Sequence, residues 1–312
     1  MEEGVGVKPR LSIISPVCNE QATVPIFFER IKPVMEKLSE KYRCELVFTN
    51  NASTDGTVDQ IKAIAKDHPY VYLITISKNV GYQASLECGL RNAKGDALVF
   101  IDVDCEDPPE MILDFVHWYE EGYDVVYGER IDRAEPKLIV LARKFFYRVM
   151  KLLADDEVIL DMAEFSLMAG HVRDAIAKDH TSFPFIRASI GRVGFKRKNL
   201  PYKRHKRAAG VTHFRLRGMA DFAISGILAS STLFLRLPIY ILPFWLLAVT
   251  ALELLRIYTG NPWLDAAILF LILAYFGSAI SFMAIYVGRT YKNSLGRPNF
   301  VIDKHSSILQ DD

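Results

Sequence analysis

ALVFIDVDCEDPPE, residues 97–110, decides how the chain reads. Its first half, ALVFIDV (97–103), is an unbroken apolar and β-branched run of the kind that forms a buried strand. Its second half presents Asp102 and Asp104, two residues apart, with Asp107 just beyond and Pro108-Pro109 closing the turn. Carboxylates gathered this closely repel one another and need a compensating cation. A hard divalent ion such as Mg²⁺ or Mn²⁺ takes oxygen ligands and commonly bridges carboxylates to a diphosphate. A D-x-D alone also occurs as a plain solvated loop, so its surroundings carry weight.

Upstream lie three more runs of strand character: LSIISPV (11–17), ELVFT (45–49) and VYLITIS (71–77). Helix-length segments at 20–39, 57–67 and 82–93 separate the four runs, the alternation of βαβ units with parallel strands. Ligands of such sheets bind beyond the carboxyl ends of the strands. The residues there are Pro16, Asn19 and Glu20, then Asn50 and Asn51, then Lys78 and Asn79, then Asp102 and Asp104. Asn19 or Glu20 serves equally as a helix cap. TNNASTDGT (49–57), with Asp55, suits a nucleoside but is also an ordinary Asx-rich turn.

The net charge of +1 argues against nucleic acid as a partner, but it hides an asymmetry. Eleven Lys or Arg and no Asp or Glu fall between Arg187 and Arg217, the pattern of a surface meeting lipid headgroups or phosphates. Cys18, Cys44, Cys88 and Cys105 show no zinc or redox spacing and read as reduced packing residues. MEEGVGVKPR at the start has no apolar run behind it, so no secretory signal is expected.

Beyond residue 218 the chain turns apolar. Residues 237–258 and 264–288 each have the length that crosses a bilayer, about 20 residues. The TGNPW link between them is short, and Lys and Arg crowd the outer flanks, which places both ends in the cytoplasm. The expected organisation is a cytoplasmic catalytic domain (1–212), an interfacial amphipathic segment (213–236), a transmembrane hairpin (237–288) and a cytoplasmic tail (289–312). The expected location is therefore the cytoplasmic membrane, multi-pass.

In order, PVCNE (16–20), NNASTDGT (50–57), KNVGYQASL (78–86), DVDCEDPPE (102–110) and GYDVVYGER (122–130) resemble the family 2 nucleotide-sugar glycosyltransferases. The narrower resemblance is to polyprenyl-phosphate and dolichyl-phosphate glycosyltransferases, GtrB-type enzymes included. PYKRHKRAAGVTHF (201–214), the two apolar spans and YVGRTYKNSLGRPNFVI (286–302) carry it across nearly the whole chain.

The resemblance implies an α/β fold of GT-A type with a mixed sheet, and an inverting transfer from a nucleotide-diphosphate sugar to a polyprenyl phosphate. It implies that Asp102 and Asp104 hold the metal and diphosphate. Asn19 and Glu20 match the donor-binding pair, and Pro16, Asn50, Asn51, Asp55, Lys78 and Asn79 complete the donor set. Arg204 and Arg207, with Gly210 and Thr212, match the R-x-x-R-x-x-G-x-S/T stretch expected at the acceptor phosphate. A homo-oligomer is a reasonable expectation of the same resemblance.

Two positions depart from the family. Asn50-Asn51 stands where at least one Asp is usual, and Glu164-Phe165-Ser166-Leu167 replaces D-F-R-L, losing an arginine for which Arg143, Lys144 or Arg148 could substitute. The amide pair favours a UDP-sugar over a GDP-sugar, because uracil presents a donor beside acceptors while guanine's adjacent donors suit a carboxylate. A catalytically degenerate scaffold and a processive polysaccharide synthase are the alternatives. The second would need more spans and a Q-x-x-R-W signature, which is absent.

Overall fold

The structure is a computed structural model that describes residues 8–131, 159, 162–207, 228 and 231–310. Thr212, Gly210, Arg143, Lys144, Arg148 and most of segment 213–236 lie outside the described residues.

The four sequence runs form β1 (Arg10–Val17), β2 (Arg43–Asn50), β3 (Val71–Thr75) and β4 (Ala97–Phe100), paired in parallel as β3-β2-β1-β4. α1 (Val24–Leu38), α2 (Thr57–Asp67) and α3 (Tyr82–Asn92) connect them. β4 is shorter than its apolar run: Ile101 makes one more backbone bond to β1, and the chain then leaves the ladder. α4 (Ile112–Glu120) leads to β5 (Val125–Arg130), followed by β6 (Met162–Ala169), α5 (Gly170–Ala177), α6 (Ile186–Val193) and β7 (Arg197–Tyr202). β6 runs antiparallel between β4 and β5, and β7 pairs parallel with β5, so the seven-stranded sheet is mixed.

The alternation of strand side chains divides the core into two. α1, α2 and α4 pack on one face around Phe27, Phe48, Phe115 and Phe165. α3, α5 and α6 pack on the other around Leu86, Phe100, Met168 and Ile190. α3 lies close against β1 because residue 89 is glycine. A Cβ there would meet Ile14 Cγ2 at 2.4 Å.

Two long apolar helices follow, α7 (Leu233–Thr259) and α8 (Trp263–Ser294), both longer than the runs 237–258 and 264–288. Residues 233–236 therefore begin α7. The helices pack on each other through Trp245 stacked on Tyr275 and Phe234 on Phe282. Trp245 Nε1 also donates to the Leu271 carbonyl, 3.1 Å. Their outer surfaces, with Phe244, Leu247, Phe270 and Ile280, are exposed, and both are long and apolar enough to cross a membrane. An apolar surface of that extent needs a cover. After α8 the tail returns to the sheet, where Ile302 and Ile308 bridge to Ile76 and Leu73 beside the β3 edge.

All four cysteines are free. Burial pushes the Cys44 and Cys88 thiols up to about 12, as expected of neutral packing groups.

Candidate active site

The end of β4 sets the geometry. Ile101, Val103, Cys105 and Asp107 are buried, whereas Asp102, Asp104 and Glu106 alternate with them on the open side. Three carboxylates therefore line one cleft at the carboxyl end of the sheet. Cys105 takes a left-handed conformation (φ 60°), and Asp104 Oδ1 accepts from the Glu106 N–H at 3.0 Å, which holds the loop in shape.

The cluster is electrostatically stressed. Burial, then Asp104 and Asp107, push the Asp102 carboxyl up to about 7, although Tyr82 Oη donates to Asp102 Oδ1 at 2.7 Å and works against the shift. Asp104 is raised as well, chiefly by burial. Asp107 is fully buried: Tyr202 Oη donates to its Oδ1 at 2.6 Å, while Oδ2 has no hydrogen-bond partner among the described residues and only the Arg130 charge, 3.7 Å away, beside it. Its role is to anchor the loop to β5 and β7.

The segment after β7 crosses over these acids. The His205 N–H donates to the Glu106 carbonyl at 2.8 Å. Arg204 pairs with Glu106 at 2.6 Å and Asp107 at 3.2 Å, and its Nη2 is 4.0 Å from Asp104. Arg207 pairs with Glu20 and comes within 3.7 Å of Asp104. The two arginines and the two acids singled out in the sequence thus meet in one place.

The remaining loops close the cleft's other side. Asn19 has φ 57°, its Oδ1 accepts from the Thr54 N–H at 2.7 Å, and its own N–H donates to Ser53. The Glu20 N–H donates to Thr57. Asn50 and Asn51 are buried and spend their amides locally. Asn50 Oδ1 accepts from the Ser53 N–H, while Asn51 bridges Asn79 Oδ1 and the Val80 N–H. Both Asp55 oxygens accept bonds too, from Thr57 and Gln21. Pro16 is buried within β1, and Lys78 is exposed.

Comparison with known proteins shows the family. The family model described as Glycosyl transferase family 2 matches residues 12–162. The chain is 31% identical over 308 residues to "Uncharacterized glycosyltransferase YkcC" of Bacillus subtilis (strain 168), covering 95% of this chain and 94% of that protein. The chain belongs to glycosyl transferase family 2. It is also 31% identical to the "Prophage bactoprenol glucosyl transferase homolog" of Escherichia coli (strain K12), over 95% of this chain and 99% of that one. A solved mannosyltransferase, PcManGT from Pyrobaculum calidifontis in complex with GDP-Man and Mn²⁺, is similar at 20% identity and a TM-score of 0.47. The match covers 92% of this chain and 88% of that one.

This glycosyltransferase thus has a mixed sheet of GT-A type with two apolar helices after it. Several residues at its site escape a reading of motifs. Tyr82, the first residue of α3, reaches across to Asp102. Glu164 stands on β6 between Gln83 Nε2 at 3.0 Å and Arg187 Nε at 2.8 Å. Ser166 turns its hydroxyl back to the Glu164 carbonyl, and the Glu164 carboxylate, two residues before it, is paired with Arg187. Lys196 and Lys198 sit 4.1 Å from the rings of Tyr123 and Trp118, flat against the catalytic domain.

Proposed function

We propose that this enzyme transfers a hexose from a nucleotide-diphosphate sugar to a polyprenyl phosphate at the cytoplasmic face of the membrane. The observation that carries the proposal is that Arg204 and Arg207 come within 4.0 and 3.7 Å of Asp104, the acid that shares the open side of the β4 loop with Asp102. Acids there suit a metal-bound diphosphate, and guanidinium forks suit a phosphate nucleophile. The name of the bactoprenol glucosyl transferase homolog supports the acceptor class and makes glucose the first sugar to try.

A divalent cation fits the residues present. Burial first, and the neighbouring acids after it, push both the Asp102 and Asp104 carboxyls up, so their ionised forms gain from a cation in the cleft. Among the described residues no group of three His, Cys, Asp or Glu is arranged to hold an ion by itself, and Glu106, the third acid of the cleft, is paired with Arg204. That suits an ion that keeps waters and takes substrate phosphates as ligands, as Mg²⁺ or Mn²⁺ does. When bound, the ion would neutralise charge growing on the leaving diphosphate.

The chain's own residues do the rest. The acceptor phosphate is already anionic near neutral pH, so its oxygen attacks the anomeric carbon without a base. A C–O bond forms on one face as the C–O bond to the diphosphate breaks on the other, and the electron pair leaves with the nucleotide, inverting the centre. Arg204 and Arg207 aim the acceptor oxygen, while Asn19 and Glu20 shape the donor side. Thr212 completes the acceptor stretch in this reading. The Asn50-Asn51 pair, which can offer uracil both a donor and an acceptor, makes a UDP-sugar the donor of this proposal. The two helices form a membrane hairpin with both chain ends cytoplasmic, which brings the cleft to a lipid that does not leave the bilayer. A homo-oligomer is compatible with this arrangement.

Membranes supplied with radiolabelled nucleotide sugars test the proposal. An acid-labile glycolipid supports it, and long polymer or no turnover with any donor contradicts it.

A further inference from the structure

A second cavity lies away from the carboxylate cleft, where the catalytic domain meets the helical hairpin. It has a volume of about 420 Å³, and its walls come from α6 and the loop before it, the start of α7 and the last turns of α8. Its walls are pinned: the Ser182 N–H donates to Asn293 Oδ1 at 2.9 Å, Ser182 Oγ to the Lys292 carbonyl at 3.1 Å, and Tyr286 Oη to the Ser231 carbonyl at 2.9 Å.

The charged groups of the lining are Arg192, Arg289 and Asp179. Arg192 is paired with Asp179 at 2.5 Å. Arg289 instead lies over the Phe183 ring, 4.3 Å from its centroid, and has no carboxylate partner among the described residues. Lys292 stands 5.3 Å from the same ring. A half-enclosed guanidinium without a counter-ion is a site for an anion. Hydroxyls of Thr181, Ser189 and Thr290 surround it, suited to a polyol.

We propose that this cavity binds the headgroup of an anionic phospholipid with a glycerol-type alcohol. Two guanidiniums against one carboxylate leave the lining at +1, which matches the single charge of a phosphodiester rather than the near-double charge of a lipid phosphomonoester. The volume admits a phosphodiester with a small polyol. The position also fits, because α8 changes at Gly288–Arg289 from its apolar run to a basic end, where headgroups lie. The lining has a route to the catalytic cleft: the Ile186 N–H at the start of α6 donates to Gln83 Oε1, and Gln83 follows Tyr82, which holds Asp102. The site rests on the hairpin lying in a bilayer, which belongs to the proposed function, but lipid binding is measured without sugar transfer, so either can fail alone.

The full chain in phosphatidylcholine nanodiscs, titrated with fluorescent phosphatidylglycerol, tests the site. Arg289→Gln is expected to weaken binding about tenfold, the effect of losing one charge-assisted hydrogen bond. Arg289→Lys should lose less, and Arg297→Gln, an exposed charge outside the cavity, should lose nothing. If Arg289→Gln does not fold, Arg192→Gln takes its place with the same expectation. Unchanged affinity in the cavity variants, or an equal loss in Arg297→Gln, overturns the site as mere surface charge. Displacement of phosphatidylglycerol by stoichiometric polyprenyl phosphate overturns it in favour of an acceptor site.

Discussion

Arg207 joins Glu20, at the end of β1, to Asp104, beyond β4: Nη2 pairs with the Glu20 carboxylate, and Nη1 lies 3.7 Å from Asp104 Oδ2. A side chain proposed for the acceptor thus neutralises a proposed metal ligand. Two cations cannot share that carboxylate without cost. Arg207→Ala should therefore tighten Mn²⁺ binding by about fivefold, the weight of an ion pair of about 1 kcal/mol. The same variant should raise the apparent KM for lipid acceptor more than that for nucleotide sugar. Titration calorimetry with Mn²⁺ and steady-state kinetics check both signs, and equal loss of both substrates would contradict the acceptor role.

Replacing Asp102 or Asp104 by Asn should lower transfer by about a hundredfold or more, since metal-borne charge stabilisation is worth several kcal/mol. The Asp102→Asn protein should melt no lower than the parent, because the change removes a carboxylate that burial and its neighbours already disfavour. Turnover retained in EDTA, or a fully active Asp104→Asn variant, would contradict the metal assignment.

Metal affinity should depend on pH with a definite sign. The folded chain holds a proton on Asp102 up to about pH 7, whereas the ordinary value is 3.8. Without metal, the folded state binds more protons than the unfolded state in that window, so this group's contribution to stability falls as pH rises through it. Mn²⁺ competes with that proton, so its affinity should rise toward pH 7 and level off above. Tyr82→Phe removes a bond that favours the ionised form and should move the plateau to higher pH. A Mn²⁺ Kd that is flat across the window would contradict the account.

The β1–β4 half of the sheet was legible because its strands are short apolar runs bounded by polar turns. The other half was less so. β6 carries Glu164 and Ser166 inside the protein, and β7, RKNLPY, is a charged edge strand whose one lysine, Lys198, packs on aromatic rings. The motifs pointed to Asp102, Asp104, Arg204 and Arg207, but their meeting depends on how the chain returns after β7. Tyr82 could not be found from spacing, because its contact with Asp102 arises only from the way α3 packs over β1 and β2. Asn50 and Asn51 read equally as base contacts or turn builders; Asn50 accepts from Ser53 within its own turn, and Asn51 ties that turn to the loop at Asn79 and Val80.

The membrane hairpin makes a topological prediction. A cysteine in place of Asn261, in the exposed α7–α8 link, should react with an impermeant thiol reagent from outside intact cells. One in place of His305, on the tail beside β3, should react only after lysis. Labelling of residue 305 from outside would contradict the orientation.

The central claim is transfer of a sugar to a lipid phosphate. It is tested most directly with the purified full chain, undecaprenyl phosphate, UDP-glucose and Mn²⁺, the lipid fraction being read by mass spectrometry. The account predicts undecaprenyl phosphate heavier by one hexose, formed only with metal and lost in Asp104→Asn. Release of free glucose and UDP with the lipid unchanged would contradict it.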